Sequence, residues 1–191
     1  MKFIFIDLET TGIPSPESGV IQLAGAIEID GEEKETFDLK IRPFPEDVIS
    51  DEALEVNGIS REDIETYEDP KVAFQRFIKI LDGYVDRYDT LDKFHLIAYN
   101  AKFDTDHLRA WFAKNGDKFF GSWFWHPPLD VMSFAAIGLM RRRPSLDNFK
   151  LLTVAEALGL EIDEERSHHA LYDVELAREV FHMLLDRVRK K

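Results

Sequence analysis

Short apolar runs bounded by turn residues predict the strands of a sheet. Residues 2–9 (KFIFIDLE) are nearly all apolar before two acids, which is typical of a strand covered on both faces. Residues 10–19 (TTGIPSPESG) predict a loop, because glycine, proline and serine dominate them. Further extended segments are predicted at 20–29, 34–43, 94–100 and 121–131. The first two of these flank the sequence DGEE, which indicates a hairpin.

Apolar residues spaced three and four apart predict the helices. The clearest helix covers residues 69–88, where Asp69 can cap the first turn and Pro70 follows it. Its apolar stripe comprises Val72, Phe74, Phe77, Ile78 and Leu81. Other helices are predicted at 49–60, 61–67, 101–116, 130–140, 148–160 and 168–190. This order of strands and helices predicts one α/β domain over residues 1–191, with a mixed five-stranded sheet flanked by helices.

Composition narrows the class of protein. The 191 residues are 45% apolar and 12% aromatic, as expected for a globular chain with a sizeable core. No run of about 18 apolar residues occurs, so we expect no membrane span. The first residues lack the features of a secretory signal. With no cysteine there are no disulfides and no thiolate chemistry, and we expect a cytoplasmic, soluble protein.

The net charge of −13, from 24 positive and 37 negative side chains, argues against broad electrostatic binding of nucleic acid. It leaves open an enzyme that acts on nucleic acid, because divalent cations can neutralise carboxylates locally. Solubility is the simpler explanation of the charge. The densest basic cluster is Arg141, Arg142 and Arg143. A solvated surface run is the simpler interpretation of this cluster too, although its position after a predicted helix permits phosphate contact.

Two carboxylates end the first strand. Side chains alternate along a strand, so Asp7 and Glu9 point to the same face. A solvated strand end is the preferred explanation for such a pair in isolation. The alternative is a cation site, since hard oxygen ligands suit Mg²⁺ or Mn²⁺. That alternative requires further acids at the same place.

Two later stretches can supply these acids. In YNAKFD, Asn100 follows a buried strand and can cap the next helix, and Asp104 lies in that helix's first turn. Asp104 is either an acid favoured by the helix dipole or a ligand. In HHALYD, His168 precedes the last helix and Asp173 lies one and a half turns into it. Helices that follow parallel strands begin at one edge of the sheet, where sites form.

Three motifs in this order resemble those of the DEDDh (DnaQ-like) 3′–5′ exonuclease family, which includes proofreading exonuclease subunits and ribonuclease T-like enzymes. The motifs are Asp7-Leu8-Glu9-Thr10-Thr11-Gly12, Asn100-x-x-Phe103-Asp104 and His168-x-Ala170-x-x-Asp173. The resemblance spans nearly the whole chain. It implies a ribonuclease H-like fold.

The resemblance implies hydrolysis of phosphodiester bonds from the 3′ end with two divalent cations, Mg²⁺ or Mn²⁺, and release of 5′-mononucleotides. By analogy Asp7 bridges both ions, Glu9 and Asp173 complete the site on the nucleophile side, and Asp104 helps to hold the second ion. His168 would be the general base. DNA is slightly favoured as the substrate. The alternatives are an RNA 3′-end-trimming exoribonuclease and a catalytically silent module that binds ends.

The expected partners are single-stranded or frayed 3′ ends of nucleic acid, with a polymerase or another protein as a further possible partner. The resemblance implies substrate contacts from Thr10, Thr11, Gly12, Asn57, Ile59, Asn100 and Phe103. Leu8 is expected to face the core. His107 is a lesser candidate for substrate contact, and helix packing is the favoured explanation of this residue.

Overall fold

The computed structural model describes residues 1–163 and 169–189. These residues form a five-stranded sheet in the order β3-β2-β1-β4-β5. Its strands are β1 (Lys2–Thr10), β2 (Val20–Ile29), β3 (Glu32–Lys40), β4 (His95–Ala98) and β5 (Leu129–Asp130). The β1–β2 and β2–β3 pairs are antiparallel, whereas β4 runs parallel to both β1 and β5. The predicted α/β class with a mixed five-stranded sheet is confirmed.

Helices pack on both faces of this sheet. They are α1 (Asp51–Asn57), α2 (Arg61–Thr66), α3 (Pro70–Asp82), α4 (Ala101–Lys114), α5 (Phe120–Trp123), α6 (Val131–Gly138), α7 (Leu151–Leu158) and α8 (Ala170–Arg189). A single 3₁₀ turn covers Arg143–Ser145 within the described part of the chain. No helix in residues 1–163 or 169–189 is long and apolar enough to cross a membrane.

The alternation of side chains along β1 divides the core into two layers. Ile4, Ile6 and Leu8 join the layer that contains α3 and α4 residues, so Leu8 faces the core as expected. Phe3 and Phe5 join the layer formed with α6, α7 and α8. Because the period of a strand is two, the odd-numbered acids of β1 lie on the same face as these phenylalanines. The end of β1 therefore presents its carboxylates toward α8.

The predicted helix 69–88 ends early. Asp69 caps it as expected, but α3 stops at Asp82, and Gly83 is followed by an irregular segment. That segment packs against the sheet: Val85 is buried in the core, and the ammonium of Lys2 in β1 donates to the Tyr84 carbonyl at 2.5 Å. The expected stripe was also wrong at Val72, which is 46% exposed.

Two other boundaries differ from the predictions. The extended segment expected at 121–131 begins within a helical turn, α5, because Phe120 and Trp123 lie one turn apart and are both buried. Its strand is reduced to the two residues of β5. The helix expected at 148–160 starts at residue 151, since the Asn148 side chain accepts the Lys150 N–H and holds that residue outside the helix.

Candidate active site

Four carboxylates gather where β1 ends. Asp7 and Glu9 belong to β1, Asp104 to the first turn of α4 and Asp173 to the first turn of α8. Burial and then the charges of Asp104, Glu9 and Asp173 raise the pKa of Asp7 well above its ordinary value. Burial and the Asp173 charge raise the pKa of Glu9 to about 7. Each acid therefore opposes the ionisation of its neighbours, as in a site built for a positive ion.

Asp104 is buried, with an exposure of 3%. Its Oδ1 accepts the backbone N–H of Leu8 at 3.2 Å, which joins α4 to β1. Burial raises the pKa of Asp104 to about 8, with smaller increases from the charges of Glu9 and Asp130. Hydrogen bonds from backbone N–H groups oppose this rise. The carboxylate is thus fixed in place by the sheet that it borders.

Asn100 does not cap α4 with its side chain, which corrects the expectation from sequence. It adopts a left-handed backbone conformation with φ 66° and leaves the helix end to another residue. Asp130, at the end of β5, accepts the N–H groups of Asn100 and Ala101 at 3.0 and 3.2 Å. The sequence motifs do not reveal this role of Asp130, because the contact joins residues about thirty positions apart. An acid directly at a strand-to-helix junction was its only signal.

A pocket of about 510 Å³ opens beside Glu9, a size typical of small-ligand sites. One wall is the loop after β1 and the other is α1. Five of the seven residues proposed to contact substrate line it: Thr10, Thr11, Gly12, Asn57 and Phe103. Ile59 lines a separate groove with Tyr67, and Asn100 is exposed outside this pocket. The structure thus brings together most, but not all, of the proposed contacts.

Hydrogen bonds fix the loop that forms the first wall. The Thr11 hydroxyl donates to the Val48 carbonyl at 2.6 Å, and the Thr10 hydroxyl to the Gly12 carbonyl at 2.8 Å. The Asn57 amide donates to the Thr10 carbonyl at 3.0 Å and so connects the two walls. Because both hydroxyl protons are donated within the protein, the loop offers mainly its backbone and its shape to a ligand.

Exposed apolar side chains surround this pocket and were not found from sequence. Ile13, Val48 and Val56 line it and are 82%, 59% and 63% exposed. Exposed large apolar groups around a concave site indicate a contact surface. Ile13 was the detectable one, since it is an apolar residue within a polar loop. Val48 comes from a segment without periodicity, and nothing in the sequence connects it to β1.

His107 lies beneath this pocket rather than within it. It is 2% exposed, its ring lies 4.3 Å from the Phe103 ring, and its Nδ1 is 3.0 Å from the Phe103 carbonyl oxygen. Burial lowers the pKa of His107. Packing is therefore its role in the fold, which agrees with the favoured interpretation.

The donor set fits hard divalent cations, because Asp7, Glu9, Asp104 and Asp173 offer only carboxylate oxygens and repel one another when ionised. In residues 1–163 and 169–189, no three histidine, aspartate or glutamate side chains are arranged as a ready-made metal cage. His168 lies outside the described residues.

Enzymes that hold pairs of divalent cations include phosphatases, polymerases and nucleases, and the carboxylates at the end of β1 are ligands that such cations prefer. The exonuclease family (RNase_T) matches this chain over residues 4–181, and the chain belongs to that family. It is 29% identical to a PolC-type DNA polymerase III from Thermotoga petrophila over 98% of its own length and 12% of the polymerase. It is 28% identical to ribonuclease T from Baumannia cicadellinicola over 98% of its length and 84% of that protein.

The fold also matches a solved structure. The zinc-bound form of E. coli exonuclease I in complex with single-stranded DNA superposes with a TM-score of 0.78 at 19% identity. The alignment covers 97% of this chain and 40% of that one. The chain thus spans less than half of exonuclease I and about an eighth of the polymerase, but most of the ribonuclease.

Proposed function

We propose that this chain removes nucleotides one at a time from the 3′ ends of single-stranded or frayed nucleic acid. The observation that carries the proposal is the group of Asp7, Glu9, Asp104 and Asp173 beside a ligand-sized pocket, where burial and neighbouring charges raise the pKa values of Asp7, Glu9 and Asp104. A group of acids that destabilises the empty protein serves a cation-dependent reaction. Membership of the exonuclease family supplies the reaction class.

The four carboxylates would hold two divalent cations, Mg²⁺ or Mn²⁺. When bound, such ions stabilise the attacking and leaving oxygens of an in-line displacement. The backbone N–H of Leu8 donates to Asp104, so this hydrogen bond would keep the Asp104 carboxylate oriented in the site. We assign His168 the role of accepting the proton of the attacking water, because an imidazole titrates near neutral pH.

The pocket would receive the terminal nucleotide. Phe103 and the exposed side chains of Ile13 and Val56 offer an apolar surface for a base. Among the described residues, the charged side chains that line the pocket are Glu9, Glu17 and Glu52. Apolar and aromatic contacts accept every base, because each base has an apolar face. We therefore expect little preference for the terminal base.

A digestion assay tests the proposal. Matched DNA and RNA oligonucleotides carrying a 5′ label are incubated with Mg²⁺ or Mn²⁺, and the expected product is a ladder that shortens from the 3′ end with release of 5′-mononucleotides. Asp104→Asn should abolish release, whereas Asp106→Asn should retain it. Asp106 is a matched control, since it lies two residues away on α4 and pairs with Lys102 at the surface.

The arms of this assay also separate the alternatives. The relatives include both a DNA polymerase and a ribonuclease. Cleavage of DNA, RNA or both in this assay therefore shows which nucleic acid is the substrate. Binding of 3′ ends without release of nucleotides would identify a silent end-binding module. Internal cuts, or no cleavage with either metal, would refute the exonuclease. His168→Ala should lower the rate of hydrolysis without preventing substrate binding.

A further inference from the structure

A basic surface strap lies between α6 and α7 and takes no part in the carboxylate site. We define it as residues 141–150. Its exposed charged side chains are Arg141, Arg142, Arg143, Lys150 and, as the single negative member, Asp147. This local excess of positive charge contrasts with a net charge of −13 for the chain. A local reversal of sign indicates a surface for an anion rather than a solubility device.

The strap begins beyond the end of α6 and comes back to the side chain of Tyr99, which precedes α4 by two residues. Helix α6 starts where Asp130 binds the backbone of Asn100, beside the first turn of α4. Its eight residues carry the chain roughly 12 Å from that point, at 1.5 Å per residue. The strap then folds back, and the Tyr99 hydroxyl donates to the Phe149 carbonyl at 2.6 Å. The strap thus follows a path that ends against the side chain of Tyr99, the residue before Asn100.

Neutral groups hold the arginines of this path in place. The Arg143 guanidinium donates to the Leu146 carbonyl at 3.1 Å and lies 5.4 Å from the Phe149 ring. Arg142 donates to the Ala157 carbonyl at the end of α7. Contacts with carbonyls and a ring orient a guanidinium without cancelling its charge, so these groups remain able to bind an anion.

We propose that the strap binds backbone phosphates of the single strand on the 5′ side of the bond to be cleaved. The inference rests on the proposed function, which places the 3′ end at the carboxylates and requires the rest of the strand to leave along the protein surface. Arginine and lysine are the usual phosphate partners. Backbone contacts of this kind are independent of sequence and suit an enzyme that moves along a strand. The strap would thus hold longer substrates and leave a dinucleotide unaffected.

The test compares two double variants with equal loss of charge. Arg141→Gln/Arg143→Gln removes two guanidinium groups of the strap, and Arg187→Gln/Arg189→Gln removes two exposed ones at the C-terminal end of α8. For each protein, kcat/KM is measured on a dinucleotide and on an oligomer of about ten nucleotides, at two salt concentrations. Each phosphate contact on a single strand contributes about 0.7 to the slope of log affinity against log salt.

Loss of two contacts lowers that slope by about 1.4, so the advantage of wild type on the long substrate should shrink about sevenfold when salt rises fourfold. The α8 variant should follow wild type, and all three proteins should cleave the dinucleotide equally. Equal behaviour of the two double variants on the long substrate would overturn the proposal, as would an equal loss on both substrate lengths. Absence of nucleotide release by wild type would instead refute the proposed function itself.

Discussion

Replacing Glu9 by glutamine should stabilise the metal-free protein at alkaline pH. Burial and the Asp173 charge raise the pKa of Glu9 from 4.5 to about 7 in the folded chain. At pH values between 4.5 and about 7, Glu9 is therefore more protonated in the folded chain than in the unfolded chain. The stability of the folded chain therefore falls as pH rises, because the slope of the unfolding free energy follows the excess of protons on the unfolded state. Glutamine has nearly the same shape as glutamate but carries no charge, so burial and the Asp173 charge do not destabilise it.

The magnitude follows from the two pKa values. A difference from 4.5 to about 7 corresponds to about 3 kcal/mol, at about 1.4 kcal/mol for each pH unit. This destabilisation is absent at pH 4 and fully developed at pH 8.5. For a chain of 191 residues it corresponds to roughly 6 to 12 °C in melting temperature.

The assay is thermal unfolding in EDTA at pH 5 and pH 8.5. Glu9→Gln should melt only slightly higher than wild type at pH 5 and much higher than wild type at pH 8.5. Glu46→Gln is the control. Glu46 is exposed and is not one of the four site carboxylates, and its neighbour Asp47 pairs with Lys114 at the C-terminal end of α4. Addition of Mg²⁺ or Mn²⁺ should raise the melting temperature of wild type more than that of Glu9→Gln, because binding stabilises the folded state.

A constant difference between Glu9→Gln and wild type at both pH values would refute the electrostatic reasoning, since glutamine would then act through packing alone. Destabilisation at pH 8.5 would refute it more directly. An equal gain from Glu46→Gln would show that relief of the overall negative charge, rather than of the gathered carboxylates, is the cause.

Two further predictions concern packing around the site. Gly25→Ala should lower the unfolding free energy by about 1–3 kcal/mol in urea titrations, because its Cβ would lie 2.3 Å from a Phe37 ring carbon. Gly121→Ala is the control and should change the unfolding free energy little, because the space around Gly121 is open. Equal effects of the two substitutions would contradict the steric argument. His107→Leu should lower the free energy of unfolding by about 1 kcal/mol in the same titrations, since it removes the hydrogen bond to the Phe103 carbonyl. An unchanged free energy of unfolding would show that this hydrogen bond does not stabilise the fold.

The sheet and the gathering of acids were predictable because they depend on local periodicity and on a general rule of topology. Alternation along residues 2–9 places Asp7 and Glu9 on one face, and the side-chain layers of β1 confirm that pattern. Asp104 was expected near them because helices that follow parallel strands start at the same edge. Its bond to Leu8 realises that expectation in atomic detail.

The pocket was not predictable to the same degree, because its walls come from segments without a repeating pattern. Val48 lies in a loop and meets Thr11 only through a hydrogen bond between residues 37 positions apart. Asp130 acts at the beginning of α4 although it belongs to the strand before α6. The end of α3 also escaped prediction, since burial of Val85 outweighed the helical pattern of the preceding residues. Long-range contacts decide all three cases.

The bond between Asp104 and Leu8 gives one acid of the site a second duty. The last β1–β4 pair joins Phe5 to Ile97, so β4 offers no partner to the N–H of Leu8, and the carboxylate takes that place. Loss of Asp104 would leave a buried N–H unpaired, at a cost of about 1–3 kcal/mol. A descendant of this chain that abandoned hydrolysis would therefore be under pressure to keep Asp104, but free to lose Glu9. Among related chains, an acid at the position of Asp104 is evidence that the fold was inherited. An acid at the position of Glu9 is the better evidence of a working nuclease.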